Sequence, residues 1–147
     1  MSSNAVVHKS TPVLTVDRIE PAVQFWKKLG LMPTTAVPDT QANDGRLAFV
    51  ILAGGGVEIM YQTIASIKED LLKAASIKVA FPATPQQTIL FVEVSQLGAV
   101  EDQLRGEPLI MPRRTTFYGS TEIGYADPGG NVIVFAETGQ DVNALSQ

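Results

Sequence analysis

The chain shows one order of secondary-structure patterns twice, and this repeat limits the folds that it can adopt. In the first half an apolar strand pattern at Val13 to Val16 leads into a helical pattern and then into two strand patterns, "RLAFVILA" and "VEIMYQ". In the second half "TILFVEV", "LGAVEDQLRG", "STEIGYA" and "NVIVFAE" follow in the same order. A repeated unit that cannot bury its apolar face alone is stabilised by packing against its copy. The sequence therefore predicts two similar units that share one core.

The first helical pattern carries the usual signals of a helix start and end. Asp17 is the expected N-cap, Pro21 falls in the first turn, and Gly30 follows the last turn. The apolar residues keep helical spacing, at Ala22, Phe25, Trp26 and Leu29. We therefore expect Trp26 to lie in the core rather than to form a ligand platform.

The two halves align with nearly constant offsets. Val16 matches Val94, 78 positions later, and Glu58 is placed over Val134, 76 positions later. One further short strand is expected in each half, near 32–37 and near 107–111. The pattern therefore predicts an α+β fold with a duplicated β-α-β-β-β unit.

The repeat also sets the expected domain organisation. We predict a single domain over 1–147, with module one at about 10–62 and module two at about 88–138. Between them, a connecting helix and a Pro-containing linker are expected at about 63–87, and a C-terminal tail follows at 139–147. The connecting helix could cover a sheet edge or a partner subunit, or it could be a surface spacer.

Composition excludes several classes of function. The formal net charge is -4 and no basic run occurs, so nucleic acid is not an expected partner. There is no Cys and a single His, His8, which is expected at the surface just before the first strand. A thiolate site, a Cys nucleophile and a His-rich metal site are therefore excluded within one chain. No apolar run is long enough to span a membrane, so we expect a cytoplasmic protein without a membrane partner.

Several stretches resemble a known family. "LTVDRIEPAVQFWKKLGL" and "YADPGGNVIVFAE" are similar to the opening and closing motifs of the vicinal oxygen chelate superfamily, which includes glyoxalase I, extradiol dioxygenases, fosfomycin-resistance enzymes and bleomycin-resistance proteins. "FYGSTEIGYADP" is similar to a loop and strand of bleomycin-resistance-like members. The resemblance implies two βαβββ modules that form curled mixed sheets around a cleft (the glyoxalase/bleomycin-resistance/dioxygenase fold), and a homodimer.

The resemblance also identifies where metal-dependent members hold their ion. It implies one ligand on the first and last strand of each module, typically His, Glu or Gln, and the matching positions are Thr11, Glu58, Ile89 and Val134. Of these, Glu58 is a ligand of the usual kind, while Ile89 and Val134 have no lone pair. A divalent cation needs several anionic or imidazole ligands in a partly apolar cleft. We therefore predict a cleft with no metal and no cofactor.

Strand alternation predicts which side chains line that cleft, because residues two apart share a face. The expected ligand-binding residues on the strands are Thr11, Thr15, Glu58, Met60, Ile89, Phe91 and Val134. In the loop "MPRRTTFYGSTE", Phe117 and Tyr118 could stack on a planar ligand, and Glu122 is a further candidate. The inward or outward direction of Tyr118 and Glu122 is not decided by the pattern, and the arginines of the loop are expected to be solvated.

These residues favour a glyoxalase/bleomycin-resistance-like protein that binds a small, largely apolar organic molecule. Glu58 would be the polar anchor, and the function would be of the sequestration or resistance type. The alternative is an enzyme of the same superfamily, a lyase, isomerase or dioxygenase-like protein. It would use Glu58 as a catalytic base with a pKa raised by burial, or a non-standard metal site. The sequence does not identify the ligand.

Overall fold

The computed structural model describes residues 4–74 and 86–138, with the backbone alone at 71–74. In chain order, the helices and strands are β1 Val13–Val16, α1 Glu20–Lys27, β2 Met32–Pro38, β3 Leu47–Gly54, β4 Val57–Thr63, α2 Ile64–Ala74, β5 Ile89–Glu93, α3 Leu97–Gln103, β6 Leu109–Thr115, β7 Ser120–Ala126 and β8 Val132–Thr138. Most of the expected linker, at 75–85, and the expected tail, at 139–147, lie outside the described residues.

The strands form two four-stranded sheets with the same topology. The order is β1-β4-β3-β2 in the first sheet and β5-β8-β7-β6 in the second. In each sheet the first strand pairs in parallel with the last, and the remaining neighbours are antiparallel. The predicted α+β fold of two βαβββ modules is therefore confirmed. The bounds predicted for one strand are wrong, because β6 begins at Leu109 and continues to Thr115.

Alternation along the strands explains how each sheet meets the core. In β3 and β4 every second side chain is buried, and Val50, Leu52 and Tyr61 are all fully buried. The same alternation in β8 buries Ile133 and Phe135. Since successive side chains of a strand point to opposite faces, one face of each sheet is apolar and packed. The other face is left for other contacts.

Helix α1 does not begin as the sequence predicted. Its N-cap is Ile19, which provides no side-chain cap bond, and Asp17 is exposed. The prediction of Asp17 as N-cap is wrong, because the first helical residue is Glu20, three positions later. The carboxylate of Glu20 instead accepts a hydrogen bond from the backbone N–H of Leu47 at 2.7 Å. This bond ties the start of α1 to β3.

One hydrophobic core joins the two modules. Trp26 of α1 is 1% exposed, and its ring centroid lies 6.3 Å from that of Phe135 on β8 in the other module. The core cluster also contains Leu97, Val100 and Leu104 from the region of α3. Aromatic rings at such distances pack favourably in addition to the area they bury. The expectation that Trp26 is a core residue is confirmed.

A buried polar network also crosses between the modules. The Tyr61 hydroxyl donates to Asp127 Oδ2 at 2.6 Å, and Trp26 Nε1 donates to the Tyr61 oxygen at 2.8 Å. Asn131 adds its backbone N–H at 2.7 Å to Oδ1 and its side-chain N–H at 3.0 Å to Oδ2 of Asp127. Burial and the neighbouring charge of Asp127 raise the pKa of Tyr61. The hydroxyl therefore stays protonated and keeps its role as donor.

We predict that Tyr61→Phe destabilises the protein by about 1–3 kcal/mol, because Trp26 and Asp127 each lose a partner in a buried site. Urea denaturation followed by circular dichroism measures this loss. Tyr125→Phe is the matched control, since Tyr125 is also buried and its hydroxyl has no hydrogen-bond partner in the described part of the chain. Equal stability of the two variants would contradict a role for the network.

Candidate functional site

Each sheet has one face against the core and a second face, which we call its open face. On the first sheet this face carries Thr11, Val13, Thr15, Glu58, Met60 and Gln62. On the second sheet it carries Ile89, Phe91, Glu93, Glu122, Val132 and Val134.

The open faces expose large apolar side chains. Val13 on β1 is 45% exposed, and Ile89 and Phe91 on β5 are 69% and 55% exposed. Apolar side chains grouped on one surface mark contact sites for ligands or other proteins more often than isolated ones do. The two open faces together are the candidate functional site.

The predicted strand residues fall on these faces in two sets. Thr11, Thr15, Glu58 and Met60 share the open face of the first sheet, and Ile89, Phe91 and Val134 share that of the second, where Phe91 and Val134 are direct neighbours. In the single chain each set is accessible to solvent. Their role in ligand binding stays a prediction.

Strand pairing corrects the alignment of the last strands of the two modules. Thr15 of β1 pairs with Gln62 of β4, and Glu93 of β5 pairs with Ala136 of β8. Thr15 and Glu93 are 78 positions apart, as in the helices that follow them. Their partners are 74 positions apart, since 136 minus 62 is 74. The offset of 76 used for these strands in the sequence alignment is therefore wrong by two residues.

The corrected register changes which residue of the first module corresponds to Val134. Its counterpart in the first module is Met60, whereas Glu58 is the counterpart of Val132. With Val134 kept as the matching position of the second module, the matching position of the first module moves from Glu58 to Met60, two residues later on the same face.

The four matching positions do not fit a divalent metal ion. Met60 offers a weak thioether, Ile89 and Val134 offer no donor atom, and the Thr11 hydroxyl is already bonded to Glu58. Hard divalent cations and zinc require several carboxylate, imidazole or thiolate ligands. Across residues 4–74 and 86–138, no three His, Cys, Asp or Glu side chains are grouped so that they could hold a metal.

Glu58 is held in its charged form by two residues that precede β1. Thr11 Oγ1 donates to Glu58 Oε1 at 2.8 Å, and Lys9 Nζ lies 3.0 Å from Oε1 and 3.1 Å from Oε2. The hydrogen bond from Thr11, followed by that from Lys9, lowers the pKa of Glu58. The expected catalytic base with a raised pKa is therefore not what the geometry provides. Glu58 is a charged carboxylate whose two oxygens are both engaged.

Glu122 is a second carboxylate, on the open face of the second sheet, and its side chain is 2% exposed. Arg114 Nη2 donates to Oε1 and the Tyr118 hydroxyl donates to Oε2, each at 2.9 Å, and the Ser120 hydroxyl lies 3.5 Å from Oε2. Burial alone would raise the pKa of Glu122, but the bonds from Tyr118 and Arg114 outweigh it and lower that pKa. The sequence left the directions of Glu122 and Tyr118 undecided. In the structure the Glu122 side chain is buried on the open face, and the Tyr118 hydroxyl points to it.

The turn between β6 and β7 presents two aromatic rings. Phe117 is 98% exposed, and its ring lies edge-on to that of Tyr118 with centroids 5.1 Å apart. Thr116 N–H donates to the Ser120 carbonyl at 2.8 Å and closes the turn, where Gly119 has a φ of 84°. The bond from Tyr118 to Glu122 fixes this turn against the sheet. The stacking of Phe117 and Tyr118 on a ligand stays a prediction.

Two charged residues of the site were not among the predicted ones. Lys9 shares the alternation of Thr11 and Val13, so a period of two extended toward the N-terminus would have placed it on the same face. Arg114 is directly opposite Glu122 in the β6–β7 hairpin. Both loop arginines keep about half of their side chains exposed, as expected, and each also pairs with a carboxylate, Arg114 with Glu122 and Arg113 with Glu101.

Comparison with solved structures decides the fold assignment. A glyoxalase/bleomycin resistance protein/dioxygenase from Nocardioides superposes with a TM-score of 0.64 at 16% identity, over 95% of this chain and 88% of its own. The chain has the glyoxalase/bleomycin-resistance/dioxygenase fold. A glyoxalase-related enzyme from Fulvimarina pelagi shares this fold, with a TM-score of 0.66 at 16% identity over 90% of this chain and 89% of the other. The resemblance to the vicinal oxygen chelate superfamily is thereby confirmed for the fold.

A bleomycin resistance determinant encoded on the transposon Tn5 also has the glyoxalase/bleomycin-resistance/dioxygenase fold. Its TM-score is 0.60 at 12% identity, over 90% of this chain and 98% of the other. No protein-family model matches the chain, and no curated protein matches it in sequence. Within the described residues no helix is long and apolar enough to cross a membrane.

The lowered pKa of Glu122 predicts how its contribution to stability depends on pH. A carboxylate whose folded pKa lies below its unfolded value stabilises the fold above that value and loses the contribution as pH falls. The ordinary pKa of this carboxyl is 4.5. We therefore expect the difference in unfolding free energy between the wild type and Glu122→Gln to be full near pH 7 and to shrink at pH values below about 4.5.

Urea denaturation at a series of pH values measures this difference. Asp102→Asn is the control, because Asp102 lies on an exposed helix end and pairs only with Arg105 in the described structure. Its effect should be small and nearly independent of pH. A Glu122→Gln effect that stays constant from neutral to acid pH would contradict the assigned hydrogen bonds.

Proposed function

We propose that the protein binds a small, largely apolar organic molecule on its open faces, as a sequestration or resistance protein. The observation that carries this proposal is the exposure of Val13, Ile89 and Phe91 on strands whose opposite faces pack against the core. Ligand sites in proteins are largely apolar surfaces with a few placed polar groups. The open faces have this composition, with Glu58 on one sheet and Glu122 on the other.

The polar groups of the two faces differ in how firmly they are held. Glu122 is buried and accepts hydrogen bonds from Arg114 and Tyr118. It therefore holds these two side chains in place, and its oxygens are less accessible to a ligand. Arg114 remains 58% exposed in its side chain and so keeps donors accessible. Glu58 is 26% exposed and faces solvent through Lys9. The ligand would meet an anion on the first sheet and an arginine on the second.

We also propose that the protein acts as a homodimer in the cytoplasm. A ligand on one open face of a single chain would remain largely in water, whereas binding sites usually bury most of a ligand's surface. A second copy can cover the apolar side chains of both faces, and it would do so with a symmetric contact. The fold neighbours include a bleomycin resistance determinant, which is consistent with a resistance role.

An enzyme that uses Glu58 as a base is the weaker alternative. Its carboxylate has a lowered pKa and both oxygens are engaged, so it has little tendency to take up a proton. A non-standard metal site would need ligands from outside the residues described, or from a second chain. We therefore do not assign a reaction.

A thermal-shift screen with a broad library of small organic compounds tests the binding proposal. We expect apolar or aromatic compounds to raise the melting temperature, since a ligand that binds only the native state stabilises it. For each hit, Phe91→Ala should weaken binding about tenfold, because a buried aromatic contact contributes on the order of 1–2 kcal/mol.

The control for Phe91→Ala is Leu109→Ala. Leu109 is 53% exposed but lies on β6 opposite Tyr125, which points to the core and not to the open face. Its removal should leave hit binding unchanged. A library without hits, or hits that bind Phe91→Ala as well as the wild type, would contradict binding on the open faces.

The dimer proposal predicts the mass of the protein in solution. Size-exclusion chromatography with light scattering should give twice the mass of one chain at micromolar concentration. Replacing Phe91 by Arg should shift the species toward the monomer, because it places a charge within an apolar contact. Arg105→Ala, at an exposed position just after α3, should keep the dimer. A wild-type monomer at these concentrations would overturn this part of the proposal.

A further inference from the structure

The two partners of the ion pair between Lys9 and Glu58 differ in how firmly the fold holds them. Glu58 is fixed, because it belongs to β4 and its Oε1 accepts a bond from Thr11, whose neighbour Pro12 accepts the backbone N–H of Met60 at 3.0 Å. Lys9 lies in a stretch without regular structure before β1, and its side chain is 65% exposed. The carboxylate is therefore held in place by the sheet, whereas the ammonium group comes from a segment that forms no strand pairing.

The energetics of this pair make its cation exchangeable. Ion pairs between exposed side chains typically contribute about 0–1 kcal/mol, because water screens the attraction and ordering the two side chains costs entropy. Lys9 has no other hydrogen-bond or ion-pair partner in the described part of the chain. Another ammonium group can therefore take its place at little cost, provided that it brings additional contacts.

Additional contacts are available next to the carboxylate. Val13 is 45% exposed and pairs with Met60, and Met32, on the edge strand β2, is 52% exposed and faces Ala53, the partner of Glu58. An apolar group attached to an ammonium group at Glu58 could cover these side chains. Lys9 itself has no such group beyond its own aliphatic stem. The surface thus complements a molecule with one positive charge and an apolar body.

We infer that the Lys9 ammonium group occupies the position of a ligand cation, and that the open face of the first sheet binds small organic amines with an apolar body. This inference rests on the proposed function and names the chemical class of its ligand. The amine binds to Glu58 and Thr11 and displaces Lys9, while its apolar body covers Val13 and Met60. Lys9 then acts as an internal competitor that protects the carboxylate when no ligand is bound.

The test compares two probes of similar shape, phenylbutylamine and phenylbutanol, by calorimetric titration near pH 7. The amine is protonated at this pH, since alkyl ammonium groups have pKa values of about 10. We expect the amine to bind more tightly than the alcohol to the wild type. Lys9→Ala should lower the dissociation constant of the amine about two- to fivefold, which corresponds to the removal of one weak exposed ion pair. It should leave the alcohol unaffected.

Glu58→Gln should weaken binding of the amine about tenfold or more, because a charge-assisted bond is lost, and bring it close to the alcohol. Lys27→Ala and Asp102→Asn change the same charges at exposed positions on α1 and α3, and should leave both titrations unchanged. Lys9→Ala keeps the test valid even where Glu58→Gln does not fold, because Lys9 precedes every strand. NMR titration should shift the amide resonances of Thr11 and Glu58.

The failures of this inference and of the proposed function can be told apart. Equal binding of amine and alcohol, or amine binding that Lys9→Ala weakens or leaves unchanged, would overturn the inference while apolar binding stands. Absence of binding by either probe to the wild type and to Lys9→Ala would also overturn the inference. The proposed function would then depend on the library screen alone.

Discussion

The hydrogen bond from Tyr61 to Asp127 joins the two modules at their buried contact, and the arrangement of both sheets depends on it. Tyr61 belongs to β4 of the first module and Asp127 follows β7 of the second, and the bond measures 2.6 Å in a site closed to solvent. Without Tyr61 the buried carboxylate of Asp127 would lose a hydrogen bond and keep those from Asn131. Because such a loss in a buried site is costly, the bond favours this orientation of the two modules. The contact of Trp26 with Phe135 adds apolar packing beside the same point.

Because the core takes one face of each sheet, the other faces remain outside the core. The consequence is visible in β5, where Leu90 and Val92 pack toward the core while Ile89 and Phe91 stay exposed. Two carboxylates lie on these open faces in different settings. Glu122 is buried and bonded by residues of its own hairpin, whereas Glu58 is partly exposed and paired with a lysine from the N-terminal stretch. The first is suited to hold a turn in place, and the second to exchange its partner.

The predicted site residues show what strand alternation can predict and what it cannot. Alternation correctly grouped Thr15 with Met60 on one face and Phe91 with Val134 on another, because the side-chain period of a strand is a local property. The alignment of Glu58 with Val134 was wrong by two residues. A slip of one residue would move every side chain to the other face, whereas an error of two residues leaves them on the same face. The face was therefore predictable and the counterpart was not.

The sequence by itself determined the order of the elements, the duplicated βαβββ unit and the face that strands such as β1 and β8 turn to the core. These follow from hydrophobic period and turn residues, which act over a few neighbouring positions. Only the tertiary structure decided that Glu58 is charged and held by Lys9 and Thr11, and that Glu122 is buried beneath Arg114 and Tyr118. The protonation of a carboxylate depends on the burial and charge brought to it by residues that are distant along the chain, and those distances are set by strand pairing.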